Sequence, residues 1–252
     1  MKVKIFSAAG GNSTAILYDL SCSKIDYAFL NSIIQKAYPE VEQVGFFEKG
    51  EKYNRLQMAG GEFCGNSTRS FACLLSELDS GKKELIFEVS GFDKPVRATV
   101  ERLGDDSFYC SAEFAGLSGN ISKKQINGKD VFAVDLGGIV HILIDEKFFP
   151  IIEKTIKDDM KNIKNLLGVD SEAVGVIWIR EEGGDVYIRP VVWVKSINTC
   201  FDETSCGSGT IAVALLKKKN VSVVQPSGEK INVYFKENSL VLSSKMKKTF
   251  SL

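Results

Sequence analysis

Short runs in which apolar and polar positions alternate recur along the chain. They include VKIFSA (3–8), VGFFEK (44–49), LIFEVS (85–90), RATVERL (97–103), FYCSAEF (108–114), VFAVDLG (131–137) and VHILID (140–145). GVIWIR (175–180), DVYIRPVVWV (185–194), KINVYFK (230–236) and SLVLSS (239–244) continue the series. A period of two predicts strands, and the GD, SG, NG and GG turns between them predict antiparallel pairing. Two stretches carry apolar residues at helical spacing instead, 25–38 and 148–168, the second ending on Gly168 as a C-cap.

Two further helices open on a repeated phrase. FCGNST at 63–68 precedes RSFACLL, and SCGSGT at 205–210 precedes IAVALL. Counted from Cys64 and from Cys206, Gly recurs at +1, Thr at +4, Ala at +8 and Leu at +10. Five positions in register point to equivalent elements in two halves of the chain. Each half reads as strands wrapped around one apolar helix. The expected fold is α+β, with two pseudo-symmetric, barrel-like domains and a site in the cleft between them. Residues 1–115 form the first domain, with a closing strand at about 241–252, and 116–240 form the second.

Composition narrows the function classes. Lys+Arg and Asp+Glu both total 32, which argues against nucleic acid or an anionic membrane as a partner. The start of the chain has too short an apolar core for a signal peptide, and no apolar run reaches membrane-spanning length, so a cytoplasmic protein is expected. Six cysteines, no C-x-x-C and a single histidine, His141, suit neither a disulfide framework nor a zinc site. No metal and no cofactor are expected. The partner is a small molecule, and a homodimer is the assembly considered.

Each repeated cysteine precedes residues suited to a helix N-terminus. There, unpaired N–H groups and the positive dipole end should lower a thiol pKa and cradle a carboxylate. Two such starts facing one cleft would hold a carboxylate between two thiols and move a proton at the adjacent carbon. Cys22, Cys73, Cys110 and Cys200 lack this setting and read as small core residues. A Cys-His hydrolase would leave the second CGSGT unexplained, and a carboxylate-binding module would not need the thiols. On oxidation the two thiols could pair as an inactive disulfide.

AGGEFCGNSTRS and DETSCGSGTIAVA resemble the two catalytic-cysteine motifs of the diaminopimelate epimerase-like family of amino-acid racemases and epimerases that work without pyridoxal phosphate. KIFSAAGGNSTAIL, EQVGFFE, LGGIVH and SLVLSSKMKKTF resemble further segments of that family. The resemblance implies a two-base mechanism, in which one of Cys64 and Cys206 removes the α-proton as thiolate and the other delivers a proton to the opposite face. It also implies that Gly65, Asn66, Gly207 and Ser208 surround the substrate carboxylate, with Asn12 and Gln43 placing the amino-acid head.

Where diaminopimelate epimerases hold a second carboxylate, this chain departs. Asn198-Thr199 stand in place of a Glu-Arg pair, Met58 in place of Asn, and Ala173 in place of Asn. The pattern is similar to the histidine racemases of this fold and ranks L-histidine first, with diaminopimelate or another amino acid as the alternative. Met58, Ile139, Val140, Trp178 and Phe201 are candidates to line the side-chain pocket. Glu48, His141, Asn198, Asp202 and Glu203 are its polar candidates. Arg69 reads as structural, paired with an acid near the cleft.

Overall fold

The alternating runs become strands in the computed structural model, which describes residues 1–20 and 26–252. Cys22 therefore lies outside the described residues. The chain opens with β1 (Lys2–Ala8), β2 (Gly11–Tyr18), α1 (Tyr27–Ala37), β3 (Val41–Glu48) and β4 (Arg55–Met58). It continues with α2 (Gly65–Leu78), β5 (Glu84–Val89), β6 (Phe92–Arg102) and β7 (Ser107–Ala115). Then come β8 (Asn120–Ile126), β9 (Lys129–Asp135), β10 (Val140–Asp145), α3 (Ile156–Leu166), β11 (Ala173–Glu182) and β12 (Asp185–Val194). The last elements are β13 (Thr199–Asp202), α4 (Gly207–Lys217), β14 (Val221–Val224), β15 (Lys230–Lys236) and β16 (Ser239–Ser251).

β16 organises the sheet. One of its edges pairs with β7 (Leu242 opposite Ala112), while the other is shared, β15 taking its first part and β1 its last. The order β1-β2-β3-β4-β5-β6-β7-β16 thereby closes on itself as an eight-stranded barrel. From β15 the sheet runs on through β14, β12, β11, β10 and β9 to β8, with β13 on β12. Among the described pairings β8 bonds only to β9, so this second part stays open. The barrel is closed and its companion is not, a difference the twin motifs do not encode.

Pairing is not purely antiparallel. β2–β3, β4–β5, β10–β11 and β12–β14 run parallel, and a helix lies in each connection. A parallel step needs a crossover, and these helices supply it. α2 threads the barrel, with Phe71 edge-on to Phe47 and Phe87 at 5.4 and 5.2 Å. α4 packs on β9, β10, β14 and β15. α1 and α3 cover the outside, each over its own smaller apolar cluster. Cys73 and Cys110 are fully buried in the central core and Cys200 is half-buried.

Two details depart from the periodicity. The helix expected from 148 begins only at Ile156, because Pro150 disfavours helical backbone before it, while Asp158 and Asp159 fill the first turn. Gly168 closes it at φ 60°. Pro190 sits inside β12 without breaking it, at the place where the neighbour on one edge changes from β14 to β13. Among the described residues no helix is long and apolar enough to cross a membrane.

Candidate active site

The two Cys-Gly phrases are helix starts that meet. Cys64 is the N-cap of α2 and Cys206 the N-cap of α4, both with extended backbone. The sulfur takes the place usually held by a Ser or Asp oxygen. Ser67 N–H donates to Cys64 Sγ at 3.3 Å, and Gly209 N–H donates to Cys206 Sγ at 3.4 Å. Thr68 and Thr210 hydroxyls each donate back to their cysteine carbonyl at 2.7 Å, which accounts for the Thr at +4 in both phrases.

The glycines at +1 let the two helix ends touch. A Cβ on Gly65 would lie 2.6 Å from Leu242 Cδ2 and 3.4 Å from the Gly207 carbonyl carbon. One on Gly207 would lie 2.9 Å from Asn66 Oδ1. Asn66 ties the helices together, its Nδ2 donating to the Ser205 carbonyl at 3.0 Å. Behind it lies Arg69, 0% exposed. Among the described residues the acid partner expected for Arg69 is absent. The guanidinium instead donates to Gly65 O at 3.2 Å, to Ser244 Oγ at 2.6 Å and to Asn66 Oδ1. Burial lowers its pKa to about 10, so it stays charged at neutral pH.

Gln43, on β3, connects the two thiols' surroundings. Its Oε1 accepts from Cys64 Sγ at 2.7 Å and from Ser67 Oγ at 2.9 Å, while its Nε2 donates to Glu203 Oε1 at 3.0 Å. Glu203 in turn faces Cys206. On the far side of Cys206, Ser208 Oγ lies 3.6 Å from the sulfur and 2.9 Å from His141 Nε2. His141 is fully buried, its Nδ1 has no partner, and desolvation pushes its pKa down to about 3. An unpaired N–H is costlier than an unpaired lone pair, so the proton belongs on Nε2. Ser208 is then free to donate to Cys206.

Cys64, Cys206, Gln43, Asn66, Gly207, Ser208 and Glu203 line one cavity, together with Glu42 and Glu62. Its free volume is about 20 Å³, roughly the room of one water molecule, so a substrate enters only if the lining parts. No Lys, Arg or His lines it among the described residues. Three carboxyl groups therefore share a buried space without a cation. Burial raises Glu42 and Glu62 to about 7 and, with Glu42 nearby, Glu203 to about 8. One oxygen of Glu62 and one of Glu203 have no hydrogen-bond partner.

The expected lowering of the thiol pKa values is reversed. Burial pushes Cys64 up to about 12 and Cys206 well above its ordinary value, and the acidic neighbours add to this. The helix ends do pull the other way through Ser67 and Gly209, but desolvation outweighs them. Both groups rest as thiols.

The raised carboxyls make stability fall with pH. Above the ordinary pKa of 4.5 the unfolded chain has lost these protons, while the folded chain keeps them until about 7 to 8. His141 acts oppositely, but only below 6.5, and the thiols act only above 9. Between about pH 6.5 and pH 8.5 the ligand-free protein should therefore lose on the order of 2 kcal/mol, a Tm drop of about 5 °C. Thermal melts check this, and Glu203→Gln should flatten the slope.

Other expected site residues lie elsewhere. Glu48 bonds the Tyr27 hydroxyl and pairs with Arg55 at 3.9 Å. Met58 is buried in the barrel core, its N–H bonded to Ser90 Oγ. Asn198 sits at φ 49° in the turn before β13, between the lining residues Ile197 and Thr199. Asn12 stands behind the cavity, its N–H on Thr204 Oγ1 at 2.8 Å and its Nδ2 on Glu42 at 3.4 Å. Trp178 belongs to the cluster under α3, and Asp202 is bonded to Arg189. Ile139 and Phe201 do line the cavity. Of the acids missed from the sequence, Glu42 and Glu62, the second had a signal: each cysteine is preceded by a Glu, Glu62 at −2 for Cys64 and Glu203 at −3 for Cys206, whereas nothing local marked Glu42. Among the described residues no three His, Cys, Asp or Glu side chains are arranged to hold a metal ion.

A protein named histidine racemase from Fusobacterium nucleatum subsp. nucleatum is 29% identical over 236 residues, covering 86% of this chain and 84% of the relative. Another of that name from Staphylococcus aureus is 23% identical, covering 86% and 83%. Among solved structures, a predicted epimerase from Pseudomonas aeruginosa superposes with a TM-score of 0.69 at 13% identity, covering 100% of this chain and 98% of that one. A phenazine biosynthesis PhzC/PhzF protein from Clostridium difficile gives 0.61 at 13%, with the same coverage. Residues 11–246 match the family described as the histidine racemase CntK N-terminal domain; the chain belongs to that family and is an isomerase of the racemase class.

Proposed function

We propose that this cavity racemises L-histidine without a cofactor, Cys64 and Cys206 exchanging protons with opposite faces of the α-carbon. The observation that carries the reading is the pair of thiols, each capping a helix, on one cavity rich in carboxyls and free of cations. The names of the relatives support histidine as the substrate. A substrate carboxylate fits against the first-turn N–H groups of Gly65, Asn66, Gly207 and Ser208, which have no intrahelical acceptors. The ammonium fits among Glu42, Glu203 and the Gln43 carbonyl. Its charge offsets the acids that hold the thiols protonated.

Once the bound ammonium has drawn the Glu203 carboxyl into its ionised form, Cys206 can pass its proton to that carboxylate and attack as thiolate, while Cys64 waits as the thiol that protonates the other face. In reverse the roles exchange. The N–H groups around the carboxylate take up the charge that develops when the α-proton leaves. The five free cysteines among the described residues suit a reducing compartment such as the cytoplasm.

Proton NMR in D2O tests the reading. With reduced enzyme the α-proton signal of L-histidine should fade, and chiral chromatography should show D-histidine. Exchange with diaminopimelate but not with histidine would overturn the substrate, and exchange with no amino acid would overturn the chemistry.

A further inference from the structure

Two of the three cavity acids are already engaged. Glu42 takes the Thr204 hydroxyl at 2.9 Å and the Asn12 amide, and Glu203 takes Gln43 Nε2. Glu62 is different. Among the described residues only the backbone N–H groups of Gly60 and of Glu62 itself approach its carboxyl, no side-chain donor reaches it, its Oε2 has no partner, and the residue is 7% exposed while lining the cavity. It also belongs to another wall. A Cβ on Gly60 would lie 2.7 Å from Glu62 Oε2, 2.5 Å from Val194 Cγ1 and 3.0 Å from Ser196 Oγ. The missing Cβ at Gly60 leaves the carboxyl its space beside Val194, and Ile197, Ile139 and Phe63 are further apolar lining of the same cavity.

A buried carboxyl oxygen without a donor costs stability unless a ligand supplies one. The amino-acid head already has the helix ends for its carboxylate and the Glu42–Gln43–Glu203 side for its ammonium. What remains for Glu62 is an N–H on the substrate side chain, presented by a flat group that also fills the apolar wall.

We propose that Glu62 is the specificity-determining residue for the side chain: its free Oε2 accepts a ring N–H of the substrate imidazole. This rests on the histidine reading above. It predicts two rejections without further residues. An aliphatic side chain would leave the carboxyl unpaired, and a side chain ending in a carboxylate would meet three acids.

Steady-state kinetics on wild type, Glu62→Gln and Glu62→Asp test it, with L-histidine and its two ring-N-methylated forms as substrates. The wild type should discriminate strongly against the form methylated on the nitrogen facing Glu62. In Glu62→Gln the KM for L-histidine should rise about tenfold or more with a smaller change in kcat, and that discrimination should shrink by a similar factor. Glu62→Asp, which keeps the charge on a shorter arm, should fall between the two, and thermal melts should show both variants folded. An unchanged KM, or an equal loss on all three substrates with discrimination intact, overturns the inference and leaves histidine racemisation standing. A wild type that exchanges no α-proton of histidine overturns the reading beneath it instead.

Discussion

Replacing either Cys64 or Cys206 by alanine is expected to lower racemisation by about 10³-fold or more, since under the proposed mechanism each removes one of two proton-transfer groups. The informative part is what each variant retains. A single remaining thiol can still take the α-proton from the enantiomer that presents it, exchange with solvent, and return a deuteron to the same face. Cys64→Ala should therefore deuterate one enantiomer of histidine without inverting it, and Cys206→Ala should deuterate the other. Deuterium uptake by mass spectrometry, combined with chiral separation, reads both at once. Both side chains are buried N-caps, so alanine also removes a helix-capping acceptor and costs about 1 kcal/mol. That loss is too small to unfold the protein and cannot produce opposite enantiomer preferences. A variant that keeps full racemisation would assign the proton transfer to another group.

The acids around the thiols make a second face of this result testable. With Glu203 beside Cys206 and the Gln43 carbonyl beside Cys64, the two thiols have unequal neighbours. The exchange retained by the variant that keeps Cys206 should be the faster one, because a carboxylate takes a thiol proton and an amide carbonyl only orients it.

What the sequence made legible follows from what repeats and what does not. The twin Cys-Gly phrases carried the helix starts, because glycine at +1 and threonine at +4 each answer a local need: close approach of two helix ends, and a hydroxyl on the cap carbonyl. Long alternating runs such as β6, β7 and β12 were equally plain. β4, β13 and β14 were not, being short, and neither was β8, which reads NISKKQI with mostly exposed side chains, a polar edge rather than a half-buried face. β2 hid for the opposite reason, its AILY end being buried on successive positions, as a strand parallel to β3 allows. In the site, Cys64, Cys206, Gln43 and Glu203 converge across the fold. Met58, Glu48 and Asn198 do not line the cavity: Met58 is buried in the barrel core, Glu48 lies at the far end of β3 with Tyr27 and Arg55, and Asn198 occupies the turn before β13. The thiol pKa values could not be read locally at all. The helix end is written in the sequence, whereas the burial that overrides it is assembled from Glu42 to Ser208.

Arg69→Ala is expected to destabilise the protein by about 4 kcal/mol, the largest single effect outside the apolar core. The side chain is the largest of the fully buried ones, and its loss leaves Asn66 Oδ1, Ser244 Oγ and Gly65 O without their donor. Arg69→Lys should rescue little, because one ammonium on a flexible stem cannot reach a carbonyl, an amide and a hydroxyl lying in different directions. Arg69→Met separates the two costs: it refills the space and relieves the buried charge, so stability should partly recover. Activity should not. Arg69 holds the Asn66 amide in the orientation that lets Nδ2 bind the Ser205 carbonyl, one residue before Cys206. Without that hold Asn66 can turn over, and the spacing of the two helix ends is no longer fixed. Denaturant melts and chiral assays on the three variants should therefore rank stability as Met above Lys and Ala, with all three slow. A Met variant with wild-type turnover would show that the Gly65–Gly207 contact alone sets the distance between the thiols.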